Sequence, residues 1–251
     1  MAKNQRADTA LVERGLVPSR ARAQALILAG EVFSGERRIE KAGEPVAPDQ
    51  PLAIRKPDHP WVSRGGLKLA KALEDFGIDP AGRVALDIGA STGGFTDVLL
   101  ARGAARVYAV DVGHGQLAWK LRQDERVIVL ERTNARYLSR EHVPEPVGLI
   151  VVDASFIPLR TVLPAPLALA APGARLVALV KPQFEVGKGR VGAGGVVRDP
   201  ALHDEVCESV RGWLEDRGWT VLGLTESPIT GPKGNKEFLL AAQCEAPPDG
   251  V

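Results

Sequence analysis

Polar residues or glycines stand wherever an apolar run of this chain ends: Asp87 and Gly89, Asp111, Thr133–Asn134, Asp153 and Lys181. An open parallel sheet binds its ligands at the carboxyl ends of its strands, so these are the positions where chemistry would be done. Asp111 closes the run Val107–Val110, where a carboxylate can hold the two hydroxyls of a ribose. Lys181 closes another run. A free lysine titrates near ~10.4, and a neighbouring cation or a dry site lowers that value. A lysine so tuned can orient or deprotonate a hydroxyl, with Asp153 as its acidic partner. Lys68 falls near an expected helix start, where its charge opposes the helix dipole, a weak hint of function. Glu237 opens the last apolar run. Each residue alone could be a cap, a turn or a surface group; together they describe one crevice.

The elements that must carry these residues follow from periodicity. The stretch Val84–Phe95 has an apolar run broken only by Asp87, then Gly89, Gly93 and Gly94, then a helical pattern at Phe95, Val98, Leu99 and Leu100. That order predicts a buried strand, a glycine turn and a helix start. Glycines allow close backbone approach, and the helix start offers free N–H groups. Further strands are expected at Arg106–Val110, Val127–Leu130, Gly148–Val152, Arg175–Val180, Thr220–Thr225 and Glu237–Ala242. Helices are expected at Leu67–Phe76, Gly94–Arg102, Gln116–Gln123, Thr161–Leu169 and Pro200–Asp216. In the first of these, Leu69, Leu73 and Phe76 share a face and Lys68 lies off it. Alternation predicts an α/β fold with a parallel, doubly wound sheet.

The first 55 residues read differently. Asp8 can cap a helix over Thr9–Arg14, and Ser19 a second over Arg20–Ala29 with Ala23, Leu26 and Ile27 inward. Arg14, Arg20 and Arg22 are left for solvent or a partner. Short strands and turns follow up to Ile54. Residues 1–41 hold eight Lys/Arg against five Asp/Glu, the local clustering that phosphate recognition requires. The expected limits are a small domain at 1–55, a stiff linker at 56–62 around Pro57 and Pro60, and a large domain at 63–251.

Several classes are excluded or disfavoured. The net charge of +1 over 251 residues does not announce nucleic acid, so any basic surface is local. Cys207 and Cys244 lie in no metal or redox spacing, and a reducing cytoplasm is expected. No metal site is expected from the scattered histidines, and no apolar run approaches the ~18 residues of a membrane span. Gly89–Gly93 matches the G-x-S-x-G nucleophile elbow, but only His203 is late enough to serve a hydrolase. Gly187-x-Gly189-x-x-Gly192 mimics a dinucleotide fingerprint without an acidic strand end after it; Lys188 and Arg190 there could instead clamp phosphates. Asp153 is followed neither by Pro-Pro-aromatic nor by Pro-Cys, patterns that would mark a base nitrogen or carbon as methyl acceptor.

Asp87-x-Gly89-x-x-x-Gly93-Gly94 resembles motif I of S-adenosylmethionine-dependent methyltransferases. Arg6-Ala-Asp-x-x-Leu-Val-x-Arg-Gly, then Ser19-Arg-x-x-Ala-x-x-Leu-Ile-x-x-Gly-x-Val, resembles the S4 RNA-binding domain, with Phe33-Ser-Gly where that family more often has Val-Asn-Gly. Adding Trp61-Val-Ser-Arg-Gly-Gly-x-Lys68, Asp111-Val-Gly-x-Gly-Gln-Leu-Ala-Trp119, Glu131-Arg-Thr-Asn134, Asp153-x-Ser-Phe-Ile, Val180-Lys-Pro-Gln-Phe-Glu and Gly234-Asn-x-Glu237, nearly the whole chain resembles the TlyA family. These are ribosomal-RNA 2′-O-methyltransferases with an FtsJ-like domain, some of which carry the name hemolysin. The resemblance implies a Rossmann-like methyltransferase sheet behind a small α+β S4 domain. It implies S-adenosylmethionine as cofactor and a cytidine ribose of 16S or 23S RNA as acceptor, on ribosomal RNA or a ribosomal subunit as partner. It implies a catalytic Lys68, Asp153, Lys181 and Glu237, and a cofactor site of Asp87, Gly89, Ser91, Gly93, Asp111, Asn134 and Phe156. Arg6, Arg14, Arg20, Arg22, Arg64 and Lys188 are the expected RNA contacts. The rival expectations are a non-enzymatic ribosome assembly factor and a membrane-lytic protein.

Overall fold

A computed structural model describes residues 4–55, 59–187 and 189–245. The chain divides into two compact units, Met1–Arg64 and Gly65–Val251. The expected linker at 56–62 lies partly outside the described residues, as does Lys188.

The first unit runs β1 (Gln5–Arg6), α1 (Ala7–Glu13), α2 (Arg20–Leu28), β2 (Val32–Ser34), β3 (Arg37–Arg38), β4 (Pro45–Val46) and β5 (Ala53–Ile54). Strands β3, β2 and β5 form one antiparallel sheet, and β1 pairs with β4. Ala7, Ala10, Leu11, Ala23, Leu26, Ile27, Val32 and Ile39 make the core. Ser19 caps α2, its Oγ accepting from Arg22 N at 3.2 Å.

Asp8 does not cap α1. The helix starts at Ala7, and Asp8 lies within its first turn, fully buried. Its carboxylate accepts from Arg6 Nε and Nη2 (both 2.9 Å), Gln24 Nε2 (2.9 Å) and Arg20 Nη2 (3.1 Å). The Arg6 guanidinium, followed by Gln24 and Arg20, outweighs burial and holds Asp8 well below the usual carboxylate range.

The second unit holds α3 (Gly65–Asp75), β6 (Val84–Ile88), α4 (Gly94–Ala101), β7 (Arg106–Val110), α5 (Trp119–Arg122), β8 (Val127–Leu130) and β9 (Val147–Val152). It continues with α6 (Leu159–Val162), α7 (Pro164–Leu167), β10 (Ala170–Val180), α8 (Pro182–Glu185), α9 (Pro200–Glu215), β11 (Trp219–Glu226) and β12 (Phe238–Cys244). The seven strands form one sheet in the order β11-β12-β10-β9-β6-β7-β8. Central strands are covered on both faces, which is why they read as continuous apolar runs. Leu86, Ile88, Ile150, Val152, Leu176 and Leu240 share one core with Val206, Val210 and Leu214 of α9. The alternate residues, Asp87 among them, turn toward α3 and α4, which pack on each other and on β12, β6 and β7.

Two expectations need correction. The helix over Thr161–Leu169 is two short helices, broken at Leu163–Pro164, where proline can only begin a helix. The sheet is not wholly parallel: β12 runs antiparallel to both its neighbours, β10 and β11. The turn after β11 is too short for a crossover helix, so β12 returns as a hairpin and slots between β10 and β11. Its first residue thereby lies at the edge where β9 and β10 end: Phe238 pairs with Val180, and Val152 with Ala178.

Candidate active site

The reversed β12 explains how four distant side chains meet. Asp153 follows β9, Lys181 follows β10, and Glu237 precedes β12, so all three stand on one edge of adjacent strands. Lys68 reaches them from α3. The sequence places it off the helix's apolar face, yet it is buried with Leu69, Ala72 and Leu73 on one continuous stripe. Its four-carbon stem packs there while the ammonium extends beyond it.

The resulting chain of charges is continuous. Lys68 Nζ lies 2.7 Å from Glu237 Oε2 and 3.7 Å from Asp153 Oδ2, while Asp153 Oδ1 lies 2.5 Å from Lys181 Nζ. Asp153 thus gives one oxygen to each lysine. Lys181 also donates to Ser155 Oγ at 2.8 Å. Both lysines and Glu237 are buried, and two cations beside two carboxylates leave no net charge to be desolvated alone. Asn235 fixes the approach to Glu237. Its amide donates to Gly195 O (3.0 Å) and accepts from Val197 N (3.1 Å). Gly231 sits so close that a Cβ there would collide with the Glu237 carboxyl.

A cleft of about 460 Å³ opens beside this group, within the range of small-molecule sites. Gly89, Ser91, Asp111, Asn134, Asp153 and Phe156 line it, with apolar walls from Ile88, Val110 and Ile157. Asp111 accepts from Ser91 N (2.8 Å) through Oδ2 and from Gly113 N (2.7 Å) through Oδ1. Each oxygen keeps a second lone pair, so the carboxylate can still receive two hydroxyls. Asn134 caps the turn Ala135–Tyr137 at the end of β8. Phe156, 89 % exposed and at φ +65°, rests on Phe184 with ring centroids 5.0 Å apart. A non-glycine residue held at positive φ is strained, and such strain gathers at functional sites.

Asp87 and Gly93 are absent from the cleft wall. Asp87 is fully buried and accepts from Thr96 Oγ1 at 2.6 Å, tying β6 to the first turn of α4. Burial, despite that hydrogen bond and with help from Asp153 and Asp111, pushes its carboxyl up to about 7. Gly93 has φ +97° at the start of α4, and a Cβ there would collide with Leu121 and Leu117. Gly89, at φ +83°, leaves room for the Asp153 carbonyl, which a Cβ would approach to 2.8 Å.

Ser155 and Gln116 in the cleft wall were missed by sequence reasoning, as was the anchoring role of Glu131. Glu131 follows β8 and accepts from Gly115 N (2.8 Å) and His114 Nδ1 (2.9 Å) and from Arg122, pinning the loop behind Asp111. Burial would raise its carboxyl, but these donors bring it down to about 2. Ser155 had one readable signal: it stands two residues beyond the strand-end acid Asp153.

Of the expected RNA contacts, Arg6 and Arg20 are paired to Asp8 yet half exposed, and Arg22 is exposed. Exposed Arg64 reaches Glu40 at 3.5 Å. Arg14 is otherwise employed: its guanidinium donates to the carbonyls of Gln50 (2.5 Å) and Ala47 (2.9 Å), stitching α1 to the segment before β5. Among the described residues no His, Cys, Asp and Glu group is arranged to hold a metal ion, and no helix is long and apolar enough to cross a membrane.

Comparison with known proteins falls on the same two units. The second carries the FtsJ-like methyltransferase pattern, matched over residues 61–244, and the first an S4 domain, matched over residues 5–51. The 16S/23S rRNA (cytidine-2′-O)-methyltransferase TlyA of Mycobacterium tuberculosis is 52% identical over 96% of this chain and 90% of its own. Hemolysin A of Brachyspira hyodysenteriae is 39% identical over 93% of this chain and 98% of its own. A solved Streptococcus thermophilus protein, provisionally named a hemolysin, superposes with a TM-score of 0.76 at 41% identity, covering 98% of this chain and 91% of its own. The chain belongs to the TlyA family of S4-bearing, FtsJ-like methyltransferases.

Proposed function

We infer that this protein methylates the 2′-hydroxyl of a cytidine ribose in ribosomal RNA, with S-adenosylmethionine as donor. One observation carries the reading: Lys68, Asp153, Lys181 and Glu237 form an unbroken ion-paired chain that meets the wall of the cleft at Asp153. Two relatives named as methyltransferases of this specificity support the substrate class. The cleft suits the cofactor: Asp111 has lone pairs to spare for a ribose diol, and Asn134 and the apolar walls frame a flat ring.

When bound, S-adenosylmethionine supplies an electrophilic methyl group. Lys181 holds the ribose hydroxyl with a lone pair toward the cleft and, as an amine, accepts its proton. Asp153 orients Lys181 and balances the ammonium so formed. Lys68 faces the other oxygen of Asp153, and Glu237 keeps Lys68 in place. The S4 unit, through Arg6, Arg20 and Arg22, contacts RNA phosphates, with Arg64 and Lys188 as further contacts. A cytoplasmic setting, where ribosomes are built, belongs to this reading.

The test is methyl transfer to ribosomal RNA by purified protein, beside the Lys181→Ala variant. The variant is expected to lose transfer while its affinity for S-adenosylmethionine, by titration calorimetry, stays within a few-fold. Full transfer by Lys181→Ala overturns the reading; a wild-type protein that binds no S-adenosylmethionine favours the non-enzymatic assembly factor.

A further inference from the structure

We propose that Ser155 is a positioning residue for the transfer step: its hydroxyl fixes Lys181 Nζ so that the one remaining position on that nitrogen faces the acceptor hydroxyl. The proposal rests on the role of Lys181 given above. Nζ is tetrahedral. One position is its bond to the side chain, Asp153 Oδ1 takes a second at 2.5 Å, and Ser155 Oγ takes a third at 2.8 Å. One is left. With Asp153 alone, rotation of the terminal bond would sweep the free position over a cone. Two fixed partners stop that rotation.

Ser155 is held well enough to do this. Its segment is anchored before it, where Asp153 N donates to Ile88 O at 2.9 Å, and after it, where Leu159 N donates to Glu185 Oε1 at 2.7 Å. Between them Phe156 packs on Phe184. Lys181 precedes α8 and Glu185 ends it, so the loop after β9 is tied to the turn after β10 at both ends of that helix.

For the acceptor hydroxyl to give its proton to Nζ, the remaining position must carry the lone pair of the amine. The two N–H groups then point to Asp153 Oδ1 and Ser155 Oγ, both of which accept. Proton transfer turns the amine into an ammonium at that remaining position; Ser155 accepts throughout, and no covalent bond to Ser155 forms or breaks. Ser155 itself borders the cleft.

The experiment compares wild type with Ser155→Ala, Ser155→Thr and Lys181→Ala. Transfer of labelled methyl to ribosomal RNA is followed across pH, S-adenosylmethionine affinity by calorimetry, and the Lys181 side-chain titration in the protein alone by heteronuclear NMR. For Ser155→Ala we expect kcat to fall about ten- to hundredfold, within the range of a positioned proton-transfer group. Melting temperature stays at the wild-type value, cofactor affinity moves no more than a few-fold although Ser155 also lines the cleft, and the pH–rate limb and the Lys181 titration shift together. Ser155→Thr, which keeps the hydroxyl, restores kcat to within a few-fold. An active wild type whose Ser155→Ala variant keeps kcat within twofold and an unmoved Lys181 titration overturns the proposal, as does a threonine variant no better than alanine. A wild type with no transfer, or a fully active Lys181→Ala, removes the underlying reading, and the role of Ser155 with it.

Discussion

Lys68 and Glu237 stand 169 positions apart in the chain and meet at 2.7 Å, with side chains 9% and 0% exposed. Removing one member of a buried pair strands the other, at a cost of about 3–5 kcal/mol. Lys68→Met is therefore expected to lose stability on that scale in urea unfolding, while Lys68→Met with Glu237→Leu recovers most of it. Neither variant recovers methyl transfer, because the field around Asp153 is gone. A stable, fully active double variant would show that the pair serves packing alone.

Gly231 is where a single methyl group tests the same contact. Alanine there would drive a Cβ into the Glu237 carboxyl and push it off Lys68 Nζ, the partner it meets at 2.7 Å. Gly231→Ala is expected to lower kcat at least tenfold with cofactor affinity unchanged, since neither residue lines the cleft. Gly89→Ala, whose Cβ would press on the Asp153 carbonyl at the centre of the cleft, is expected to damage affinity and kcat together. Steady-state kinetics beside calorimetry separates the two patterns.

Asp111 carries the ribose in this reading while bracing its own turn through Ser91 N and Gly113 N. Hydrogen bonds to a charged group contribute about 1.5–3 kcal/mol each. Asp111→Ala should therefore raise the dissociation constant for S-adenosylmethionine by tenfold or more, with kcat at saturation much less affected. An unchanged dissociation constant excludes Asp111 from the cofactor site.

Asp87 gives stability a pH dependence of unusual sign for a carboxylate. Its folded carboxyl titrates near 7, whereas an unfolded Asp does so near ~3.9. Between those values the folded protein holds a proton that the unfolded chain has released, so stability falls as pH rises. The slope from this group approaches ~1.4 kcal/mol per pH unit inside that window. Asp87→Asn, which can still accept from Thr96, should be flatter than wild type from about pH 4 to 7 in thermal melts. Parallel curves would refute the buried proton.

Most of the architecture was readable because the strands advertise themselves. Val84–Ile88 and Val127–Leu130 begin and end where their apolar runs do, and Arg106–Val110 starts one residue before its run. The direction of β12 was not readable, because an apolar run carries no arrow and only the short turn behind it decides. Lys68 was misplaced on its helix because a lysine on a buried stripe looks like a surface residue until its partner is known. Asp8 looked like a cap because a carboxylate near a helix start has two uses, and only the fold brings Arg20 and Gln24 to it. Ser155 and Glu131 were invisible as anchors for a similar reason: their value lies in donors that arrive from other loops.

The reversed β12 also orders assembly. β10 and β11 precede in the chain the strand that parts them, so their facing edges stay unpaired until residues 238–244 are in place. Glu237, just ahead of that strand, is carried to Lys68 by the same insertion. The sheet therefore completes its pairing and the charged quartet closes in a single event.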